Sequence, residues 1–167
     1  MGITIKDIDN TEKILKELKK FDRREIRAGF FGDKDAELPM IAAVQEYGAK
    51  IPVSDEMRKF FAANGYPLRA ETQFFIIPER AFLRKTVDDD GAMTEVFEFG
   101  IENYNKTGSL ESMVNAMGSK FVAKIQDSIA SNIQPPNHPL TTELKGGKEK
   151  TLIDTGRLRQ GVTYEVV

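Results

Sequence analysis

The sixteen residues from 152 to 167 read LIDTGRLRQGVTYEVV and carry the strongest indications of the fold. Asp154 and Thr155 favour the start of a helix, because their side-chain oxygens can accept hydrogen bonds from the free N–H groups of a first helical turn. Gly161 ends this helix after about one turn. The residues that follow alternate between apolar and polar side chains, which predicts a half-buried strand that ties this segment into a sheet. The apolar members of the alternation are Val162, Tyr164 and Val166.

Upstream of this segment, apolar residues recur mainly at helical spacing. The longest such pattern, from Leu110 to Ile129, predicts a helix of more than twenty residues, roughly 30 Å long at about 1.5 Å per residue. Ser54 is expected to cap a shorter helix, and Gly48 to end another. The expected helices cover residues 10–21, 40–47, 54–65, 82–87, 96–104 and 110–129.

Two further strands are expected, at residues 26–30 and 72–77. The second is dense in aromatic and β-branched side chains, which predicts a buried strand that Pro78 terminates. Because the strands are few and scattered, no βαβ series fits them. The predicted class is therefore α+β, with a small antiparallel β-sheet packed against several helices, one of them long.

The chain of 167 residues is long enough to bury a core and is expected to form a single domain over residues 1–167. Residues 133–151 contain three prolines and two glycines and give no pattern of a helix or strand. Loops of this length inside a compact domain are usually functional or disordered. We therefore expect a mobile loop at about residues 133–151, which becomes ordered on contact with a neighbouring molecule.

The composition is that of an ordinary folded protein, with 30% charged and 40% hydrophobic residues. A net charge of −2 gives no electrostatic basis for binding a nucleic-acid backbone. No apolar run reaches the roughly 18 residues that a membrane span needs, and no signal-peptide pattern opens the chain, so we expect synthesis in the cytoplasm. The absence of cysteine excludes disulfides and thiolate sites.

The sharpest enzymatic motif is Asp154-Thr155-Gly156, which follows two aliphatic residues as in the catalytic loop of aspartic proteases. That chemistry needs two carboxylates that share a proton, contributed by two lobes or by a dimer. Here Arg157 stands where the proteases have a small residue, and too few residues follow to build a substrate cleft. A structural role at the start of a helix is therefore the better interpretation of Asp154.

Three other candidate sites also lack the partners that their chemistry needs. His138 is the only histidine and has no further metal ligands beside it in the sequence. The glycine turn from Lys145 to Lys148 lacks the Ser or Thr and the flanking elements of a phosphate loop. The acidic run from Asp88 to Asp90 lacks the oxygen-ligand spacing of a calcium loop. We expect no catalytic, cofactor-binding or metal-binding residues, no cofactor and no enzymatic activity.

A nucleic-acid-binding module is the alternative function. Its evidence is the basic group Arg23, Arg24 and Arg27, close to the aromatic residues Phe30 and Phe31. Glu25 interrupts the basic group, and strand alternation would send neighbouring side chains to opposite faces of a sheet. The aromatic and methionine-rich stretches elsewhere are expected to serve packing in the core or at an interface.

Five stretches, taken in order, resemble the head-to-tail joining proteins of tailed bacteriophages. These are IPERAFLR at residues 77–84, the long helix, PPNHPLT at 135–141, the Lys-Gly turn and LIDTGRLRQGVTYEV at 152–166. The segments AAVQEYG at 42–48 and SDEMRKFFAANG at 54–65 fit the same group, so the resemblance covers nearly the whole chain. The family often has a proline where Ala81 stands here.

The resemblance implies a structural virion protein, either a tail terminator or a neck and tail-completion protein. Such proteins form a ring, commonly hexameric, at the head-proximal end of the tail. The implied partners are other copies of the chain, the tail tube protein and the head-connector or stopper protein, while phage DNA passes through the lumen without specific binding. The implied location is the virion, after assembly in the host cytoplasm and without a membrane.

Overall fold

The computed structural model describes residues 11, 12, 15, 16, 19, 24–32 and 35–167. The helix expected over residues 10–21 lies largely outside the described residues, and so does Asp33 in the turn expected after the first strand. Over residues 24–32 and 35–167 the chain forms four strands and seven helices. The strands are β1 (Ile26–Gly29), β2 (Ala49–Pro52), β3 (Phe74–Ile77) and β4 (Thr163–Val166). The helices are α1 (Leu38–Tyr47), α2 (Asp55–Ala63), α3 (Phe82–Val87), α4 (Asp90–Thr107), α5 (Leu110–Ala130), α6 (Pro139–Leu144) and α7 (Arg157–Gln160).

This arrangement confirms the α+β class, with antiparallel strands and one helix of 21 residues. The strands form two separate two-stranded sheets, β1–β4 and β2–β3, where one small sheet was expected. Strand β2 had not been predicted, because it has only four residues, ends on a proline and shows no clear alternation. Its pairing with β3 depends on residues more than twenty positions away in the chain.

The β1–β4 sheet joins two segments that are far apart in the chain. Ile26 lies opposite Val166 and Gly29 lies opposite Thr163. Hydrogen bonds between the backbones of Glu25 and Val167 extend the ladder by one pair at 2.8 and 3.0 Å. The prediction that the segment after Gly161 forms a strand tied into a sheet is therefore confirmed.

The face of this sheet that carries Tyr164 packs on helix α5. Gly118 of α5 leaves room for the Tyr164 ring, since a Cβ atom at this position would overlap the ring. The Tyr164 hydroxyl donates to Asn115 Oδ1 at 3.2 Å. Of the three residues expected on one buried face, Val162 is buried, whereas Tyr164 and Val166 are only half-buried.

Helix α5 is the centre of the fold. It packs against α3, α4 and α7 and against both strands of the β1–β4 sheet. Its buried residues Ile125 and Ile129 form a core with Phe82 of α3. The other buried members of this core are Leu38, Ala42, Ile133, Leu152, Leu158 and Val162. The helical stripe predicted for residues 110–129 therefore does supply the main packing surface.

Helix α1 buries a different stripe from the one that its apolar residues predict. The helix expected over residues 40–47 has Met40 and Tyr47 among its apolar residues at helical spacing, but both are exposed. The buried positions are Leu38, Ala42 and Glu46. Glu46 can face the interior because α3 offers hydrogen-bond donors to its carboxylate.

Residues 133–151, expected as a loop without regular structure, contain helix α6. Ile133, Leu140 and Thr151 within this stretch are buried. The Thr151 hydroxyl donates to the backbone oxygen of Ile133 at 3.0 Å and so joins the two ends of the segment. The expectation of a stretch without helix or strand is wrong, because prolines at its start are compatible with the first turn of a short helix. Its mobility in solution stays a prediction.

The start of α7 also differs in detail from the expectation. Gly156, with a left-handed φ of 85°, occupies the N-cap position that was assigned to Asp154 and Thr155. The Thr155 hydroxyl does accept a hydrogen bond from the N–H of Arg157, at 3.3 Å. The side chain of Asp154 is exposed and does not cap the helix.

Candidate assembly surface

The β2–β3 ribbon has one face that is open to solvent. The antiparallel register places Lys50 opposite Ile76 and Pro52 opposite Phe74, so these four side chains share one face. All four are exposed, with Ile76 at 67% and Phe74 at 41% of their full exposure. The ammonium group of Lys50 lies 4.0 Å from the centre of the Phe74 ring. We call these four residues the outer ribbon face. The expectation of a buried strand at residues 72–77 is wrong for this face.

The opposite face of the ribbon is partly covered by helix α2. Phe75 packs against Phe61 with ring centres 5.4 Å apart. Beside this contact lies an apolar groove of about 470 Å³ between α2, β3 and α6. Its lining includes Phe60, Tyr66, Leu140 and Leu144. Phe60 and Leu144 are exposed, so the groove is open to an apolar side chain from another molecule.

A network between α1 and α3 holds the base of the ribbon. Glu46 is 2% exposed, and its carboxylate accepts from the N–H groups of Leu83 and Arg84 at 2.8 and 3.0 Å. These are donors of the first turn of α3, whose N-cap residue Ala81 makes no side-chain cap. Glu46 therefore caps α3 from a neighbouring helix. Hydrogen bonding to Glu46 raises the pKa of the Arg84 guanidinium, and Glu79 adds to this effect.

Gly48 allows the ribbon to approach this network. It ends α1 with φ 73° and ψ 173°, a backbone conformation that is almost confined to glycine. A Cβ atom there would lie 2.7 Å from the backbone oxygen of Ile77 and 2.9 Å from the nitrogen of Glu79. The two chain segments therefore pass each other where only glycine fits. The close approach at Gly48 anchors the base of the ribbon, whose two strands contact each other far more than they contact the other elements.

The loop between α2 and β3 is also braced. Arg58 of α2 donates to the backbone oxygens of Arg69 and Thr72 at 2.9 and 2.5 Å. A third, longer contact joins it to Ala70 at 3.4 Å. No sequence pattern indicated this role, since an arginine on a helix face is usually exposed to solvent. The brace ties the loop that precedes β3 to helix α2.

The structure gives His138 a local role. Its Nδ1 atom accepts a hydrogen bond from the N–H of Leu140 at 3.2 Å, which caps the start of α6. Its ring meets that of Tyr66 edge-on, with centres 5.3 Å apart. These contacts fit the expectation of a histidine that packs within its loop.

The turn from Lys145 to Lys148 is held by its own lysines. Lys145 Nζ donates to the backbone oxygens of Thr151 and Ile153 at 2.9 and 3.1 Å, and Lys148 Nζ donates to that of Asp154 at 2.9 Å. Gly146 and Gly147 have left-handed φ angles of 66° and 83°, which explains the glycine pair. The turn thus closes on residues 150–154.

The acidic and basic runs also have structural partners. Asp89 caps α4, since its Oδ1 atom accepts from the N–H of Ala92 at 3.0 Å. Arg27, from the proposed nucleic-acid surface, lies 3.1 Å from Glu25 and 4.0 Å from Glu165. Neutralised charge of this kind weakens the case for a phosphate-binding surface, and Arg23 lies outside the described residues.

Within the described part of the chain, no group of three or more histidine and acidic side chains is placed to hold a metal ion. None of the described helices is long and apolar enough to cross a membrane. The chain matches no protein-family model, no curated protein and no solved structure.

Proposed function

We propose that this chain is a structural protein of a tailed bacteriophage particle. In this role it forms a ring, commonly hexameric in the family it resembles, at the head-proximal end of the tail. The ring joins the tail tube to the head connector and leaves a lumen for DNA. The proposal rests on the ordered resemblance of residues 42–166 to head-to-tail joining proteins, together with the surface of the β2–β3 ribbon.

The observation that carries the proposal furthest is the outer ribbon face. A two-stranded sheet is marginally stable alone, and its free edges and apolar face are ready to pair with another chain. Here the ribbon is anchored at its base by Glu46 and Gly48 while Phe74 and Ile76 remain exposed. An exposed apolar face on a ribbon with an anchored base gives a subunit a surface with which to contact its neighbour.

A ring contact joins two different patches of the same subunit, and closes by rotation. The outer ribbon face supplies one patch. The apolar groove beside α2, lined by Phe60 and Leu144 and bordered by Ile76 of the same subunit, is suited to receive an apolar side chain such as Phe74 of the next subunit.

The test is assembly on purified tail tubes. We expect a monomer at low concentration by light scattering, and closed rings on tube ends in negative-stain images. Ile76→Asp should keep the fold, because Ile76 is exposed, but should abolish ring formation. Ile101→Asp, the same change at an exposed position of α4, is the matched control and should assemble.

Two results would count against the proposal. A strict monomer that never binds tubes would overturn the assembly function itself. Loss of rings in both variants, or in neither, would overturn the assignment of the contact to the ribbon. Steep, salt-dependent binding to DNA by the free chain would instead favour the nucleic-acid-binding alternative.

A further inference from the structure

A second cavity, of about 460 Å³, lies between β3, the end of α1 and the segment that leads into α6. Its polar lining includes Gln45, Arg80, Asn137, His138 and Lys145. Its apolar lining includes Phe75, Ile76, Ile77 and three prolines, Pro78, Pro135 and Pro136. The cavity is therefore basic at one wall and apolar at the other.

Arg80 gives this cavity an uncompensated positive charge. It is 6% exposed, and its guanidinium donates to the backbone oxygens of Pro135 and Pro136 and to the side-chain oxygen of Gln45. All three acceptors are neutral, and Arg80 forms no ion pair with any residue that the structure describes. Buried charges in proteins are normally paired, because transferring a charged group from water into the protein interior without a counter-charge costs much free energy.

Lys145 adds to the positive field. Burial lowers the pKa of its ammonium group, as do the nearby charges of Arg80 and Lys148, while Asp154 acts in the opposite direction. Its three N–H groups already have backbone acceptors at 2.9–3.3 Å. Lys145 therefore contributes charge to the cavity without offering a free donor.

Hydrogen-bond donors without partners line the same cavity. The Nδ2 atom of Asn137 is buried and has no acceptor among the described residues. A guanidinium carries five N–H groups, and the three contacts of Arg80 leave two of them for a ligand. In the neutral ring of His138, Nδ1 accepts from Leu140, so Nε2 carries the hydrogen and can donate.

We propose that this cavity binds an oxyanion, a carboxylate or a phosphate group, through Arg80, Asn137 and His138. An oxyanion supplies the counter-charge that Arg80 lacks and the acceptor that Asn137 lacks. Arginine offers two parallel N–H groups to such a group, which suits the planar carboxylate and the phosphate alike. The apolar wall at Phe75 and Ile77 accommodates the carbon skeleton of the ligand. Although Ile76 lines this cavity and also belongs to the outer ribbon face, anion binding does not require a ring and is measured on the free chain.

The experiment is a titration of the isotope-labelled protein with sodium phosphate and, separately, sodium acetate, at constant ionic strength. We expect the side-chain amide signal of Asn137 to shift and to saturate with at least one anion. A lower dissociation constant for phosphate identifies a phosphate-bearing ligand, and a lower one for acetate identifies a carboxylate. A signal that does not move, or that moves linearly without saturation with both anions, overturns the proposal.

A pair of variants supplies the control. Asn137→Asp places a carboxylate beside Arg80 and should abolish the saturable rise in Tm that the anion produces. Asn105→Asp makes the same change at an exposed position of α4 and should keep the rise. Equal rises in both variants would reflect only the general stabilisation of proteins by excluded anions, and would overturn the site.

Discussion

Glu46 and Arg84 are joined by three hydrogen bonds. The Oε1 atom of Glu46 accepts from the backbone N–H and from Nε of Arg84, each at 3.0 Å, and the backbone oxygen of Glu46 accepts from Nη2 at 2.9 Å. The same guanidinium stacks over the ring of Tyr47, 4.9 Å from its centre. One pair of residues therefore closes the end of α1 onto the start of α3, at the point where the ribbon is attached.

Removing the carboxylate of Glu46 should be strongly destabilising. Glu46→Ala leaves the N–H groups of Leu83 and Arg84 without an acceptor in a partly buried site, which costs about 2–4 kcal/mol. Urea unfolding measures the change. Glu79→Ala removes an exposed partner of the same guanidinium and should change the free energy of unfolding far less. Equal losses in the two variants would show that the carboxylate does not cap α3.

Gly48→Ala should destabilise the protein more than the same change at another left-handed glycine. Gly65 has φ +80° but open space where a Cβ atom would lie, so Gly65→Ala should cost about 1–2 kcal/mol from backbone strain alone. At Gly48 the new Cβ atom also meets the backbone of Ile77 and Glu79, which cannot move aside. Thermal unfolding of both variants checks this order, and a smaller loss at Gly48 would contradict the close approach.

The pair formed by Asp35 and Arg157 should make stability depend on pH below neutrality. Arg157 donates to both carboxylate oxygens of Asp35 at 2.6 Å, and this hydrogen bonding holds the pKa of Asp35 below its ordinary value. A lowered pKa in the folded state stabilises the protein above the ordinary pKa, about 4, and this contribution is lost as pH falls through the folded-state value.

The comparison is between the native chain and Asp35→Asn in urea midpoints from neutral to acidic pH. The native chain should be more stable at neutral pH, and the difference should shrink once the pH falls below about 4. If the difference in stability between the two proteins grows as the pH falls, the assigned direction of the Asp35 pKa shift is wrong.

Deleting residues 161–167 should unfold the domain or nearly so. The deletion removes the strand that pairs with β1 and the buried Val162, whose burial alone contributes about 1.5–3 kcal/mol, against total stabilities of about 5–15 kcal/mol. Asp154→Asn should leave fold and assembly unchanged, because its side chain is exposed. Circular dichroism and particle assembly measure both. If the truncated chain folds and assembles while Asp154→Asn does not assemble, the roles given to these two segments are wrong.

Residues 133–151 should exchange their amide hydrogens unevenly in the free subunit. Residues 146–150 are all exposed and should be weakly protected, and they should gain protection on assembly. Leu140 and Thr151 are buried and should already be protected in the dilute monomer. Uniformly strong protection before assembly would mean that the segment is a fixed element and does not become ordered on docking.

The helices could be predicted from the sequence because the residues that indicate them are close together in the chain. Ser54, for example, accepts from the N–H of Met57 at 3.2 Å, the capping contact that its position predicts. Gly48 ends α1 as expected, and the 21-residue helix α5 follows directly from its apolar period. Such signals act within one or two turns of chain, so neighbouring residues are enough to reveal them.

The candidate surface was harder to predict from the sequence, because it depends on residues that are far apart in the chain. A continuous apolar run such as residues 74–77 is typical of a strand that other elements cover on both faces. Here the strand belongs to a two-stranded ribbon, and α2 covers only one of its faces. Glu46 is inside because its acceptor oxygens meet donors 37 and 38 positions further along the chain. The donors assigned to the proposed oxyanion cavity likewise come from two segments far apart in the chain, Arg80 on one side and Asn137 and His138 on the other.

The pairing of β1 with β4 also bears on how the chain reaches its fold. As the chain is synthesised from its N-terminus, Ile26 emerges long before its partner Val166, so β1 has no partner of its own sheet throughout that interval. Contacts between positions so distant in sequence form slowly, because the intervening chain must first lose conformational freedom. Helix α5, which both strands contact, is made of local hydrogen bonds and can form earlier. We expect α5 to serve as the template on which the sheet closes last, so that the edge of β1 stays open until β4 has been synthesised.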